Sequence, residues 1–182
     1  MLYKGVLNMT LPHYKPVFIR GLSENHVGLD TIPASTGHWQ GMTREQKDAQ
    51  NEKRLKFDIF SMLHGACVFA GVIAGAGNTV IVDSYDEQNY FRFAYAHLNE
   101  LFVRENEYIA EGQALGKMGF SGVDIDNIHL HLTFVKNPEF MDEPLKVFQD
   151  SGIIDPMLFF SKKWNAKEGA YILEIREDIN EF

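Results

Sequence analysis

The sequence predicts a mainly β fold, built as an antiparallel sheet, sandwich or barrel. Five segments are rich in Val, Ile, Phe and Tyr: "PVFIRG", "ACVFAGVIAG", "TVIVDSY", "NYFRFAYAHL" and "NIHLHLTFV". Gly, Asn and Asp turn signals such as "GAGN" and "YDEQN" separate them. Short strands at this density favour antiparallel pairing.

The remaining segments follow in order. Residues 43–57, "TREQKDAQNEKRLKF", are polar, rich in helix formers and free of Gly and Pro. They predict a solvated helix or a mobile surface loop. After the last of the five strands, "EPLKVFQDSG" and "DPMLFFSKKW" read as short helices. Pro156 suits the first turn of the second, with Asp155 as its cap. "AYILEIRED" reads as a closing strand. There is no internal repeat and no low-complexity segment.

Composition narrows the function. The chain has 182 residues, consistent with a single domain over 1–182, and is 45% hydrophobic. Its 17 basic and 25 acidic residues give a net charge of −8. That balance argues against a dedicated nucleic-acid binder and gives no electrostatic help on anionic membranes or polymers. A lone cysteine, Cys67, excludes an intrachain disulfide and reads as a buried thiol. The opening "MLYKGVLNMTLPHYKP" is broken by Asn8, Thr10 and Pro12, so it does not read as a secretory leader. No window reaches the ~18 apolar residues of a membrane span. The chain is expected neither to cross a membrane nor to follow the usual export route, unless it derives from a longer precursor.

The chemistry concentrates in "NIHLHLTF", residues 127–134. His129 and His131 lie two apart, so on a strand they share a face, while Leu130 and Leu132 point to the other. Either the strand lines a polar cleft, or the pair belongs to a metal or acid–base site with partners elsewhere. His26 and Asp30, in "ENHVGLDTIP", would complete the mixed His and carboxylate set that zinc accepts. Fully extended, their Cα atoms would stand about 13 Å apart, so the chain must bend between them. Gly28 permits a bend and places no side chain at the metal. His97 ends "RFAYAH", where alternation puts Tyr95 and His97 on one face; it is either a structural residue or part of the site. In "VRENEYIAEGQALGKMGFSG", Gly112 and Gly116 bracket a short strand, and Gly119 and Gly122 make a tight passage before the histidine strand.

Taken in this order, "HVGLD", "GNTVIVDSY…FAYAHL", "V…IAEGQALGKMGFSG" and "HLH" resemble the lysostaphin-type zinc metallopeptidases, the β-lytic and glycyl-glycine endopeptidases that cut peptidoglycan peptides. The resemblance covers about residues 17–136, and the ending "IIDPMLFF" is also similar. It implies a compact antiparallel β sheet or sandwich with a narrow groove. It implies one Zn²⁺ held by His26, Asp30 and His131, with His97 and His129 as catalytic residues. Alternation alone does not choose between His129 and His131; the resemblance does. In that scheme His129 takes the proton of a zinc-activated water and returns one to the leaving amine. His97 orients the water or stabilises the oxyanion. The substrate class implied is bacterial peptidoglycan peptide cross-links, acted on at the cell wall by a phage-released, virion-associated or trimmed secreted protein.

The chain departs from the family in two places. Asp30 is followed by about twenty extra residues, "GHWQGMTREQKDAQNEKRLKF". Ile128 stands where the family often has Gly or Pro. The expected organisation is a core over 17–136, an insertion over 37–57 and a C-terminal extension over 137–182. His38 could occupy an open zinc position and Trp39 could cover the groove, with Arg44 to Lys56 a solvent-facing helix or arm. Two other classes compete with the enzyme. One is an inactive relative serving as a peptidoglycan-binding, regulatory or phage structural module. The other is a carrier domain, which "V…EGQALG" also resembles but which has no use for His-x-Gly-x-Asp.

Overall fold

The computed structural model describes residues 9–36, 41–85, 89–123, 126 and 128–177. In chain order the strands are β1 (Pro16–Arg20), β2 (Leu29–Pro33), β3 (Asp58–Phe60), β4 (Gly65–Ile73), β5 (Gly77–Tyr85), β6 (Tyr90–Leu98), β7 (Glu100–Leu101), β8 (Tyr108–Ile109), β9 (Ala114–Lys117), β10 (Leu130–Lys136), β11 (Ile153–Ile154), β12 (Phe160–Asn165) and β13 (Ala170–Ile175). An α-helix, α1 (Arg44–Arg54), lies between β2 and β3, after a 3-10 turn over Ala34–Thr36.

Among the described residues ten strands form one sheet, in the order β12-β13-β1-β2-β10-β6-β5-β4-β8, with β11 also pairing with β10. A smaller sheet runs β3-β9-β7. Every pairing is antiparallel. The fold is mostly β, as the strand density predicts.

The main core lies between the two sheets. Leu29, Val80, Val82, Phe93, Tyr95, Leu130, Leu132 and Phe134 of the large sheet share a core with Ile59 and Leu115 of the smaller one and with Met118 just after β9. Burying each large aliphatic side chain there stabilises the fold by roughly 1.5–3 kcal/mol. The other face of the large sheet is built differently. Ile32, Val17 and Ile172 form one small apolar cluster. Ile81, Ala94, Val135 and Val147 form another. Alternation along β2 and β10 places Asp30, His131 and Thr133 on this second face, between the two clusters.

Residues 43–57 are helical, and the reason is local. Thr43 accepts from the backbone of Gln46 while the Gln46 side chain accepts from Thr43 N–H, a reciprocal cap. The helix is not simply solvent-facing, however. Asn51 and Arg54 are buried on its inner side, so the expectation of a solvated arm holds only for its outer face.

The two short helices expected near the C-terminus are present as 3-10 helices over 144–149 and 156–158, the second capped by Asp155 as expected, but the second is shorter than its segment. "FFSKKW" is not helical. From Phe160 on it lies in β12, paired along its length with β13, with Phe160 buried and Ser161 to Trp164 exposed. This hairpin extends the large sheet beyond β1.

Candidate metal and acid–base centre

Strand register brings the centre together. β10 lies between β2 and β6, with His131 directly opposite Asp30 on one side and Ala96 on the other. His26 precedes β2 in a tight turn held by mutual Ser23 and His26 backbone bonds. The chain therefore bends before Leu29, as the His26 to Asp30 spacing requires. Gly28 contributes by closeness. A Cβ there would lie 2.3 Å from Leu132 O and 2.8 Å from the His131 ring.

Three side-chain atoms, one each from His26, Asp30 and His131, lie within 4.8 Å of one another. The surrounding hydrogen bonds decide which atoms these are. His26 Nδ1 is 2.8 Å from Gly21 O, so that nitrogen carries the proton and donates it. Its Nε2 lone pair is left 2.9 Å from Asp30 Oδ1. That approach is off the hydrogen-bond direction, and Nε2 has no aligned partner among the described residues. For His131, Thr133 settles the matter. The Thr133 hydroxyl gives its single proton to Val27 O at 2.7 Å. It must therefore accept from His131 Nε2, 3.1 Å away. The Nδ1 lone pair of His131 then faces Asp30 Oδ1 at 2.9 Å.

Two imidazole lone pairs thus converge on one carboxylate oxygen. Three acceptors at this distance repel unless a cation lies among them. Burial would raise the Asp30 carboxyl, but its contacts with His129, His131 and His26 overturn this and hold it well below the ordinary carboxylate range. Burial holds His131 below its usual value despite the pull of Asp30. His26 also loses by burial, yet Asp30 and the Gly21 carbonyl raise it overall. The residues fit a small divalent cation. Zinc takes such a set in tetrahedral geometry, with one position left for water or substrate.

His97 and His129 stand beside this trio. His129 Nε2 lies 3.4 Å from Asp30 Oδ1. The His97 and His129 rings are 4.8 Å apart, and His97 is 5.8 Å from the His131 ring. All five polar residues are between 5% and 9% exposed, so the centre is largely screened from solvent. His97 Nδ1 donates to Ser121 O at 2.9 Å, which directs Nε2 inward. Burial, then the neighbouring His129, lowers His97 to about 4, so it is a neutral base or donor at neutral pH.

The placement of His97 corrects the alternation argument. Tyr95 does not share its face: Tyr95 lies in the main core and its hydroxyl accepts from Met62 N at 2.8 Å. A register shift between Asn78 and Val80 on the facing strand, and a φ of 63° at His97, turn that one side chain to the opposite face. A non-glycine residue at such a φ is strained, and a bulge that re-aims a side chain is a recurrent feature of functional sites.

The sequence-predicted residues His26, Asp30, His97, His129 and His131 all converge. His38 and Trp39 lie outside the described residues. Thr133, the Gly21 and Ser121 carbonyls and Arg54 were missed. Thr133 carried a usable signal, being a polar residue two positions beyond His131 on the same strand face. A cavity of about 600 Å³ lies elsewhere, beside Lys15, Lys163 and Trp164, and contains none of the five residues.

An antiparallel β fold with a two-His, one-Asp cluster beside a histidine pair defines a β protein with a candidate metal centre. The profile of Peptidase family M23 matches residues 48–143, more than half of the chain. The chain belongs to that family. The matched span includes His97, His129 and His131, while His26 and Asp30 precede it. Lipoprotein NlpD of Yersinia enterocolitica is 31% identical over 77 residues, 42% of this chain and 76% of that protein. The murein hydrolase activator NlpD of Escherichia coli is 30% identical over 77 residues, but the chain spans only 20% of its length. The antimicrobial peptidase lysostaphin from Staphylococcus simulans shares the fold, with a TM-score of 0.50 and 23% identity over 84% of this chain and 50% of that one.

Proposed function

We propose that the protein is a zinc-dependent endopeptidase that hydrolyses peptide cross-links of bacterial peptidoglycan. The observation that carries this reading is the convergence of one ring nitrogen each of His26 and His131 on the ionised Asp30 beside a second pair of histidines. His26 through Nε2, His131 through Nδ1 and Asp30 would hold the ion. Zinc bound there supplies a Lewis acid for the scissile carbonyl and lowers the pKa of a bound water to about 7. His129 accepts the proton of the attacking water and returns one to the leaving amine. His97, held neutral and aimed inward by Ser121, donates a hydrogen bond to the developing oxyanion or orients the water. The narrow groove that the family resemblance implies would suit an extended peptide with small side chains, such as glycine bridges or D-alanine cross-links. Among the described residues no helix is long and apolar enough to cross a membrane.

A second reading rests on the names of some sequence relatives, such as the murein hydrolase activator NlpD of Escherichia coli. Retention of both the ligand set and the histidine pair favours the enzyme. Incubating the zinc-loaded protein alone with purified peptidoglycans of several cross-bridge types, with mass analysis of new amino termini, separates the two. The peptidase reading expects cleavage that His131→Ala and Asp30→Ala abolish together with zinc. His129→Ala should keep zinc and lose about 10²-fold or more in turnover. Cleavage only after a separate wall hydrolase is added would establish the activator instead.

A further inference from the structure

The helix between β2 and β3 has an unusual inner face. An amphipathic surface helix normally turns apolar residues inward; α1 buries Asn51 and Arg54 instead. Arg54 is completely inaccessible to solvent. Sequestering a guanidinium is costly unless fixed acceptors meet it. Here Nε donates to Thr36 Oγ1 at 3.0 Å, Nη1 to Ile128 O at 3.2 Å and, more weakly, Nη2 to Thr36 O at 3.5 Å.

Both acceptor residues flank the centre's own strands. Thr36 follows β2, the strand of Asp30, and its hydroxyl donates to Pro33 O at 2.7 Å. Its only proton is therefore committed, and it must accept from Arg54. Ile128 is the residue before His129, which makes an isolated bridge with Gly119. Arg54 thus ties the exit of β2 to the entry of β10. At the other end of α1, Arg44 Nη1 donates to Asp126 at 2.6 Å. Ser121, whose carbonyl orients His97, lies in the same connection between β9 and β10. The helix therefore holds, at two points, the segment that carries His129 and supplies the Ser121 carbonyl that orients His97.

We propose that Arg54 is a positioning residue for His129: the helix sets the distance of that imidazole from Asp30 and His97 through the Ile128 carbonyl. This deepens the peptidase reading and, for its rate effects, rests on it. The geometric consequence does not. A displacement of about 1 Å at an acid–base group is sufficient to cost about 10²-fold in rate.

The test compares Arg54→Met, Arg54→Lys and Thr36→Val with the native protein, each loaded with zinc. Elemental analysis, thermal unfolding, kcat and KM on a cross-bridge peptide, and the histidine ring resonances by NMR are read on every sample. The expected result for Arg54→Met is one zinc per chain, kcat down 10- to 100-fold and KM within about threefold. The His129 ring resonances should move more than those of His26. Arg54→Lys should recover part of kcat, and Thr36→Val should reproduce a milder form of the loss. If the native protein cleaves nothing, the peptidase reading fails, while the ring resonances still decide the positioning role. Native kcat with unmoved His129 resonances in Arg54→Met overturns the proposal. So does a loss of activity in all three variants that merely tracks lost zinc or folded fraction.

Discussion

Thr133 fixes the tautomer of His131. Its hydroxyl proton goes to Val27 O, which obliges it to accept from His131 Nε2 and leaves Nδ1 bare toward Asp30. Removing the hydroxyl frees the ring to turn or to change tautomer. Thr133→Val keeps the branched shape and deletes the acceptor. The expected outcome is a 10- to 100-fold weaker zinc affinity with a native fold, read by competition with a chromophoric chelator. Unchanged affinity would mean that packing alone holds the ring.

Gly28 is required by proximity. A methyl group there would meet the Leu132 carbonyl at 2.3 Å, and backbone cannot swing aside as a flexible side chain can. Gly28→Ala should force β2 and β10 apart at the residues that carry Asp30 and His131. We expect a loss of about 1–3 kcal/mol by urea denaturation of the metal-free protein, together with a marked fall in zinc affinity. Native stability and affinity would show that the strands separate there without cost.

Much of this centre was legible in the sequence because strand alternation is simple. His129 and His131 share a face as their spacing demands, and the bend between His26 and Asp30 follows from distance alone. His97 was legible only as a residue type. The bulge that turns it away from Tyr95 depends on the register of β5, which no local pattern encodes. "FFSKKW" misled because its pairing with β13 overrides local propensity. Arg54 was invisible because a charged residue in a polar helix reads as solvated until tertiary contacts bury it.

His13 makes the fold acid-sensitive independently of the metal. It is buried, with Nε2 2.8 Å from Thr31 Oγ1, and burial pulls it down to about 4. In the unfolded chain it titrates near 6.5. Between these values the unfolded state takes up a proton that the folded state refuses. Stability is therefore complete above about pH 6.5 and declines as pH falls toward 4, by at most about 3 kcal/mol from this residue. His97 contributes in the same direction. Urea denaturation of metal-free native protein and His13→Gln between pH 7.5 and 4.5 isolates the His13 share. The variant's stability should fall less steeply with acid, and parallel curves would remove His13 as a cause.

Arg92 supports the face on which the centre lies. Arg92 is fully buried and grips Asp83 with two bonds of 2.7 Å across the β5–β6 pair. It also donates to the carbonyls of Phe140 and Met141, at 2.8 and 2.9 Å. Those bonds anchor the segment leading to the 3-10 turn at 144–149, where Val147 joins the cluster beside His131 and Phe148 comes within 5.9 Å of the His131 ring. Arg92→Met leaves the Asp83 carboxylate without its cation and should cost about 3–5 kcal/mol. Adding Asp83→Leu removes that stranded charge. The double variant should therefore be more stable than Arg92→Met alone, yet below native, because the Phe140 and Met141 carbonyls still lack their donor. Urea denaturation of the three proteins measures the coupling. A double variant no more stable than Arg92→Met would place the cost in the two lost carbonyl contacts and not in the ion pair.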